Sequence, residues 1–238
     1  MPEGTLTQLF LDTVDRLGGR AAYRVLGEGD PTTLSYDEVL DIVRRGAAGL
    51  VHLGLERGDR AAILSENRIE WPLADFSCLT AGVIDVPIYG TLTAPQVRYI
   101  LDDCKAALVF VSDQEQLAKV QEAAAELNHP VRIVVFDESA KSSDVLSWSE
   151  LLEFGTDEPL ESFRARALEA QPHDTATLIY TSGTNGNPKG VMLTHNNLYS
   201  NVWASSQILA ANPNDASLSF LPLSHVFQRM VDYLFFSG

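Results

Sequence analysis

Leu178-Ile179-Tyr180-Thr181-Ser182-Gly183-Thr184-Asn185-Gly186-Asn187-Pro188-Lys189-Gly190 is the stretch on which the reading of this sequence turns. An apolar run that reads as a strand, Ala176 to Thr181, opens into three glycines, a proline, a lysine and the hydroxyl side chains of Thr181, Ser182 and Thr184. Gly183, Gly186 and Gly190 allow backbone conformations closed to other residues, so several N–H groups can converge on phosphate oxygens. Lys189 adds a mobile charge with three donors. A Walker A loop is excluded, because Pro188 precedes the lysine and Gly190-Val191 follows it where Ser or Thr opening a helix is required. The residues alone also fit a hairpin joining two strands, turned by Asn185-Gly186.

Upstream of this loop, helical and extended patterns alternate. Leu6, Leu9, Phe10, Val14 and Leu17 fall at helical spacing, and a hairpin follows, Ala21 to Leu26 and Thr32 to Ser35, turned by Gly27 to Asp30. Ser35 and Glu38 form a capping box for a helix to about Leu53, ended by Gly54. Strands are expected at 60–64, 83–88, 107–111 and 131–136, separated by helices at 69–80, 94–103 and 114–127. That alternation gives the fold class: α/β, a mainly parallel sheet covered by helices. Residues 137–159 read as a polar surface excursion with one short helix capped by Ser147 and Glu150, continued by a helix over 160–169. After the loop come a short strand near Val191, a helix over 196–209 begun by Thr194 and His195 as a cap, a strand over 217–221 and a helix from His225. A loop at the carboxyl end of a strand is where open α/β sheets place ligands.

The 238 residues carry a formal charge of −15 and are 45% hydrophobic. This excludes disorder and argues against nucleic acid as a partner. Residues 171–238 hold only Asp174, Lys189, Asp215, Arg229 and Asp232 as charges, which predicts burial of that stretch. Cys78 and Cys104 read as buried thiols, Trp71 and Trp203 as core aromatics, and no spacing suggests a metal site. Arg57-Gly58-Asp59 reads as a turn into the first of the alternating strands. The most apolar window, 72–90, is broken by Asp75 and Asp85, and no stretch reaches the ~18 uncharged residues of a membrane span. With no signal-like start, the expectation is a cytoplasmic protein, with peripheral membrane contact left open.

Tyr180 to Gly190 resembles the signature of the adenylate-forming superfamily, Tyr-Thr-Ser-Gly-(Ser/Thr)-Thr-Gly-x-Pro-Lys-Gly, at every fixed position except Asn185. Leu221-Pro222-Leu223-Ser224-His225-Val226-Phe227-Gln228-Arg229-Met230 resembles the segment lining the acyl and adenylate site in long-chain fatty acyl-CoA synthetases, many of which carry Glu where Gln228 stands. Arg57 to Arg60, Ile63 to Arg68, Glu70-Trp71, Ala81-Gly82 and Val86 to Tyr89 also match early parts of these enzymes, so the resemblance runs from about Leu34 to Gly238.

The resemblance implies that residues 1–238 form an incomplete N-terminal, AMP-binding domain of a long-chain fatty acid CoA ligase. Its small-molecule substrates would be ATP, a fatty acid and coenzyme A, and Mg2+ would be its cofactor. Thr181, Ser182, Gly183, Thr184, Asn185, Gly186, Asn187, Pro188, Lys189 and Gly190 would bind the phosphates. Lys189 and His225 would be catalytic, while Arg229 reads as structural. Asn185, standing for threonine, puts any hydroxyl contact there in doubt. The family's later Tyr-Gly-x-Thr-Glu motif, its ribose-binding aspartate and its C-terminal domain with a catalytic lysine do not appear in the sequence, so the chain alone is expected to be inactive and to need the remainder of the enzyme as partner. The alternatives are a non-catalytic nucleotide-binding or interaction module, or an adenylating ligase for another carboxylic acid.

Overall fold

A computed structural model describes residues 2–26, 31–181, 187–209 and 212–238. The chain opens with helix α1 (Leu6–Leu17), started by Thr5, whose side chain accepts from the Gln8 N–H. Strands β1 (Ala21–Val25) and β2 (Thr32–Ser35) pair antiparallel as a separate two-stranded sheet, and their expected turn, Gly27 to Asp30, lies outside the described residues. Helix α2 (Tyr36–His52) begins on the predicted capping box: Ser35 N donates to Glu38 Oε2 at 2.7 Å and Glu38 N to Ser35 Oγ at 3.2 Å. Gly54, with φ of 84°, takes the left-handed conformation that lets the chain leave the helix.

The alternation then runs as expected: β3 (Arg60–Leu64), α3 (Glu70–Ala81), β4 (Ile84–Ile88), α4 (Ala94–Cys104), β5 (Leu108–Val111), α5 (Gln114–Ala124) and β6 (Arg132–Val135). Next come β7 (Leu146–Ser147), α6 (Trp148–Phe154), α7 (Leu160–Ala167), β8 (Thr175–Thr181), β9 (Lys189–Thr194), α8 (His195–Leu209) and α9 (Val226–Ser237). One seven-stranded sheet has the order β7-β6-β5-β3-β4-β8-β9, parallel throughout except for the β8–β9 pair.

Strand side chains alternate between two cores, one on each face of this sheet. Ala61, Ile63, Leu108 and Phe110 face the larger, built with α1, α2, α3 and α6 to α9. Ala62, Leu64, Val109 and Val111 face the smaller, built with α4 and α5. Both faces of the central strands are therefore apolar, as a helix-covered parallel sheet requires.

Several expectations fail. Residues 137–159 are no surface excursion: β7 extends the sheet edge, and Trp148 and Leu151 of α6 are buried, with the Trp148 ring edge-on to Phe110 and Phe136. The polar residues between them cover an apolar anchor set that their number concealed. Residues 217–221 form no strand, since no strand among the described residues pairs with them, and Leu218 and Phe220 are exposed. The sparsely charged stretch is likewise not all buried, because Met192, Ile208 and Leu209 also face solvent. Trp71 is a core residue as expected, whereas Trp203 is only half-buried. Cys78 and Cys104 are buried free thiols. Among the described residues no helix is long and apolar enough to cross a membrane.

Candidate functional site

Strand β8 delivers the glycine-rich segment and β9 takes it back. Tyr180 faces Gly190 and Thr181 faces Lys189 in their antiparallel register. The hairpin reading is thus right for the strands, and Lys189 and Gly190 belong to β9 rather than to the loop, because β9 begins earlier than the strand expected near Val191. Thr181, Asn187, Lys189 and Gly190 are exposed, and Pro188 is half-buried. Ser182, Gly183, Thr184, Asn185 and Gly186 lie outside the described residues. Gly190 is constrained: a Cβ there would stand 3.1 Å from the Tyr180 ring, which crosses over it. The Tyr180 hydroxyl donates to Asp103 Oδ2 at 2.6 Å, tying the base of the segment to the last turn of α4. Burial and that carboxylate raise the phenol's pKa, so Tyr180 keeps the proton it donates.

Strands β3, β4 and β8 are parallel neighbours, so Leu64, Ile88 and Thr181 end on the same edge of the sheet. With neighbouring strands about 4.8 Å apart, the ends of β3 and β8 are separated by roughly 10 Å. Just past β3, Asn67 holds the second motif by its backbone. Its Nδ2 donates to Leu221 O at 2.7 Å and its Oδ1 accepts from Leu223 N at 2.8 Å. Two residues on, exposed His225 caps α9, its Nδ1 accepting from Phe227 N at 3.1 Å. A neutral imidazole with Nδ1 so used carries its proton on Nε2, which is then its remaining donor. The two motifs therefore stand on one rim, each tied to a different strand end.

Beneath them lies a buried ionic cluster. Arg229 of α9 donates through Nη2 to Asp75 Oδ1 of α3 at 2.5 Å and to Asp85 Oδ1 of β4 at 2.8 Å. Its Nε donates to the Tyr233 hydroxyl at 2.7 Å, which in turn donates to Asp75 Oδ2 at 2.6 Å. All four side chains are buried. One cation facing two carboxylates leaves a surplus negative charge in a medium that solvates it poorly. Burial, reinforced by the Asp75 carboxylate and opposed by Arg229, accordingly pushes Asp85 up to about 7. Asp85 is also the residue of β4 that faces Thr177 of β8.

The sequence matches the family model for AMP-binding enzymes over residues 10–237. The chain belongs to that family. It is 33% identical over 238 residues to the long-chain-fatty-acid–CoA ligase ACSBG2 of Xenopus laevis, a match covering 98% of this chain and 32% of the relative. With the ligase ACSBG1 of Rattus norvegicus the identity is 34% over 234 residues, covering 96% and 32% respectively. The chain thus spans about a third of the length of the curated relatives it matches. Among solved structures, a long-chain-fatty-acid-CoA ligase of Archaeoglobus fulgidus superposes with a TM-score of 0.82 at 20% identity, covering 99% of this chain and 45% of that one. A luciferase of Phrixothrix hirtus gives 0.81 at 20%, with the same coverage. These two likenesses establish the fold.

For this member of the AMP-binding family, sequence reasoning missed Asn67, whose role depends on a partner far along the chain, and the pair Asp75 and Asp85. A signal for the pair was present. Two carboxylates inside the most apolar window need a buried cation, and Arg229 is one of two basic residues in 171–238. Arg229 is structural in position, as expected. His195 is not the capping group: Thr194 caps, accepting from Asn197 N at 3.1 Å, while the buried His195 ring accepts the Leu6 N–H on Nδ1 at 3.3 Å. Burial pushes its pKa down to about 4.

Proposed function

We propose that this chain is the phosphate- and carboxylate-holding part of a ligase that activates a long-chain fatty acid with ATP and passes the acyl group to coenzyme A. The observation that carries the reading is the shared rim. Thr181 and Lys189 flank the glycine-rich segment at the end of β8, and Asn67 pins the His225 motif past the end of β3, two strands away on the same sheet edge. The names of the similar ligases support the acyl substrate.

In the first step a carboxylate oxygen attacks the α-phosphorus as the bond to pyrophosphate breaks. Two anions must be held in line while negative charge gathers on the leaving group. Lys189 supplies a cation for that charge, and Thr181 and the backbone N–H groups of 182–187 supply donors. His225, donating from Nε2, orients the carboxylate or an α-phosphate oxygen. Transfer of the acyl group to the coenzyme A thiol, with AMP leaving, draws on the longer protein. Among the described residues no three His, Cys, Asp or Glu side chains cluster to hold an ion, so Mg2+ would be held chiefly by the ATP phosphates and would add to the stabilisation of the leaving-group charge.

Fatty-acid-dependent exchange between ATP and pyrophosphate, measured on the ligase that carries this chain, tests the reading. Lys189→Ala should lower it by about 10²- to 10³-fold, the effect of removing one preorganised donor. Full exchange in that variant refutes the phosphate assignment.

A further inference from the structure

We propose that Arg229 is a positioning residue, which acts through His225 by fixing the first turn of α9 relative to the strand that carries Thr181 and the glycine-rich segment. The proposal rests on the adenylation reading above.

Arg229 and His225 are one helical turn apart, and Arg229 N donates to His225 O at 3.2 Å. The guanidinium reaches two other elements, Asp75 on α3 and Asp85 on β4, and so sets both the rotation and the axial position of α9 at its amino end. Asp85 in turn is the β4 residue registered against Thr177, four positions before Thr181 on the same strand. A continuous path of side chains and backbone thus joins His225 to the strand beneath the phosphate segment. From the other side Asn67 fixes Leu221 and Leu223, so His225 is bracketed between a backbone clamp and an ion cluster.

Stability alone does not call for such a cluster. Apolar residues of similar volume usually serve a core as well as a buried ion pair does, because removing charges from water is costly. Arg229 Nη1, Asp85 Oδ2 and Thr177 Oγ1 are buried with no hydrogen-bond partner among the described residues, so the bonding of the cluster is not maximal. What the planar fork does supply is direction, through bonds that apolar contacts cannot orient. A displacement of about 1 Å in a reacting group can cost about a hundredfold in rate, which makes that direction worth holding.

The test is a double-mutant cycle on the full ligase, read as fatty-acid-dependent ATP–pyrophosphate exchange. Arg229→Lys keeps the charge and loses the fork. It should lower kcat by roughly ten- to a hundredfold and leave the KM for ATP within about twofold. Combined with His225→Ala, it should cost no more than the worse single change, because one effect passes through the other. Tyr233→Phe, which removes the two hydrogen bonds of the Tyr233 hydroxyl and keeps both ion pairs, should give a smaller fall in kcat with the same lack of additivity. Wild-type kcat in Arg229→Lys, multiplicative losses in either cycle, or loss of the fold in both Arg229→Lys and Tyr233→Phe overturns the positioning role. A wild-type ligase with no exchange, matching Lys189→Ala, is a separate result: it overturns the adenylation reading first and this proposal with it.

Discussion

Asp85→Asn should make the chain more stable at neutral and basic pH. Asp85 is fully buried beside Asp75 and shares one cation with it, and burial lifts its pKa from an ordinary value near 3.8 up to about 7. A group whose folded pKa is raised binds more protons folded than unfolded between the two values. Its contribution to stability is thus full below the unfolded value and is lost as pH rises through about 7. Between about pH 5 and about pH 8 the loss works out at roughly 2–3 kcal/mol, a large share of the ~5–15 kcal/mol of a typical domain. Asparagine mimics the protonated acid. Its Oδ1 can still accept from Arg229 Nη2, and its amide can donate to Thr177 Oγ1, which is buried without a partner among the described residues. Urea titrations of both proteins at about five pH values across that range measure the effect. The variant should already exceed the wild type near pH 5 and exceed it by roughly 2–3 kcal/mol more near pH 8, and the difference between the two slopes isolates Asp85 from the other titrating groups. Parallel pH profiles, or a variant weaker than wild type throughout, would refute the reasoning that a surplus buried carboxylate sits in this cluster.

His195 should act with the opposite sign. Its folded pKa of about 4 lies below the unfolded value near 6.5, so its contribution is present above about pH 6.5 and lost as pH falls toward 4. His195→Asn keeps an acceptor for Leu6 N and should spare the chain roughly 2–3 kcal/mol of that acid loss, read as the change in urea midpoint with pH. Gly49→Ala should destabilise by about 1–3 kcal/mol although alanine favours helix, because its Cβ would fall 2.3 Å from Leu151 O and 2.9 Å from Leu151 Cδ1. A urea midpoint at or above wild type would show that α6 can move away from α2 at no cost.

The sequence by itself determined the elements and their class. Its signals there are local: the capping box of Ser35 and Glu38, the glycine that ends α2, and the four apolar runs from β3 to β6 with helical spacing between them. It also located the segment between β8 and β9 from residue order alone, since glycine, hydroxyl and lysine chemistry is carried by neighbours in the chain. Where the deciding contact joins distant residues, local pattern fell short. The polar count of 137–159 hid Trp148 and Leu151, because burial depends on what the aromatic ring meets, Phe110 and Phe136. Residues 217–221 suggested a strand, yet a strand exists only with a neighbouring strand to bond its backbone, and among the described residues none pairs with it; the Asn67 side chain bonds Leu221 O instead. The strand order, the hold of Asn67 on Leu221 and Leu223, and the sharing of Arg229 by Asp75 and Asp85 were decided by tertiary structure. Each brings together groups more than a hundred positions apart or sets the order in which strands meet, and neither quantity is encoded in the spacing of residues along the chain.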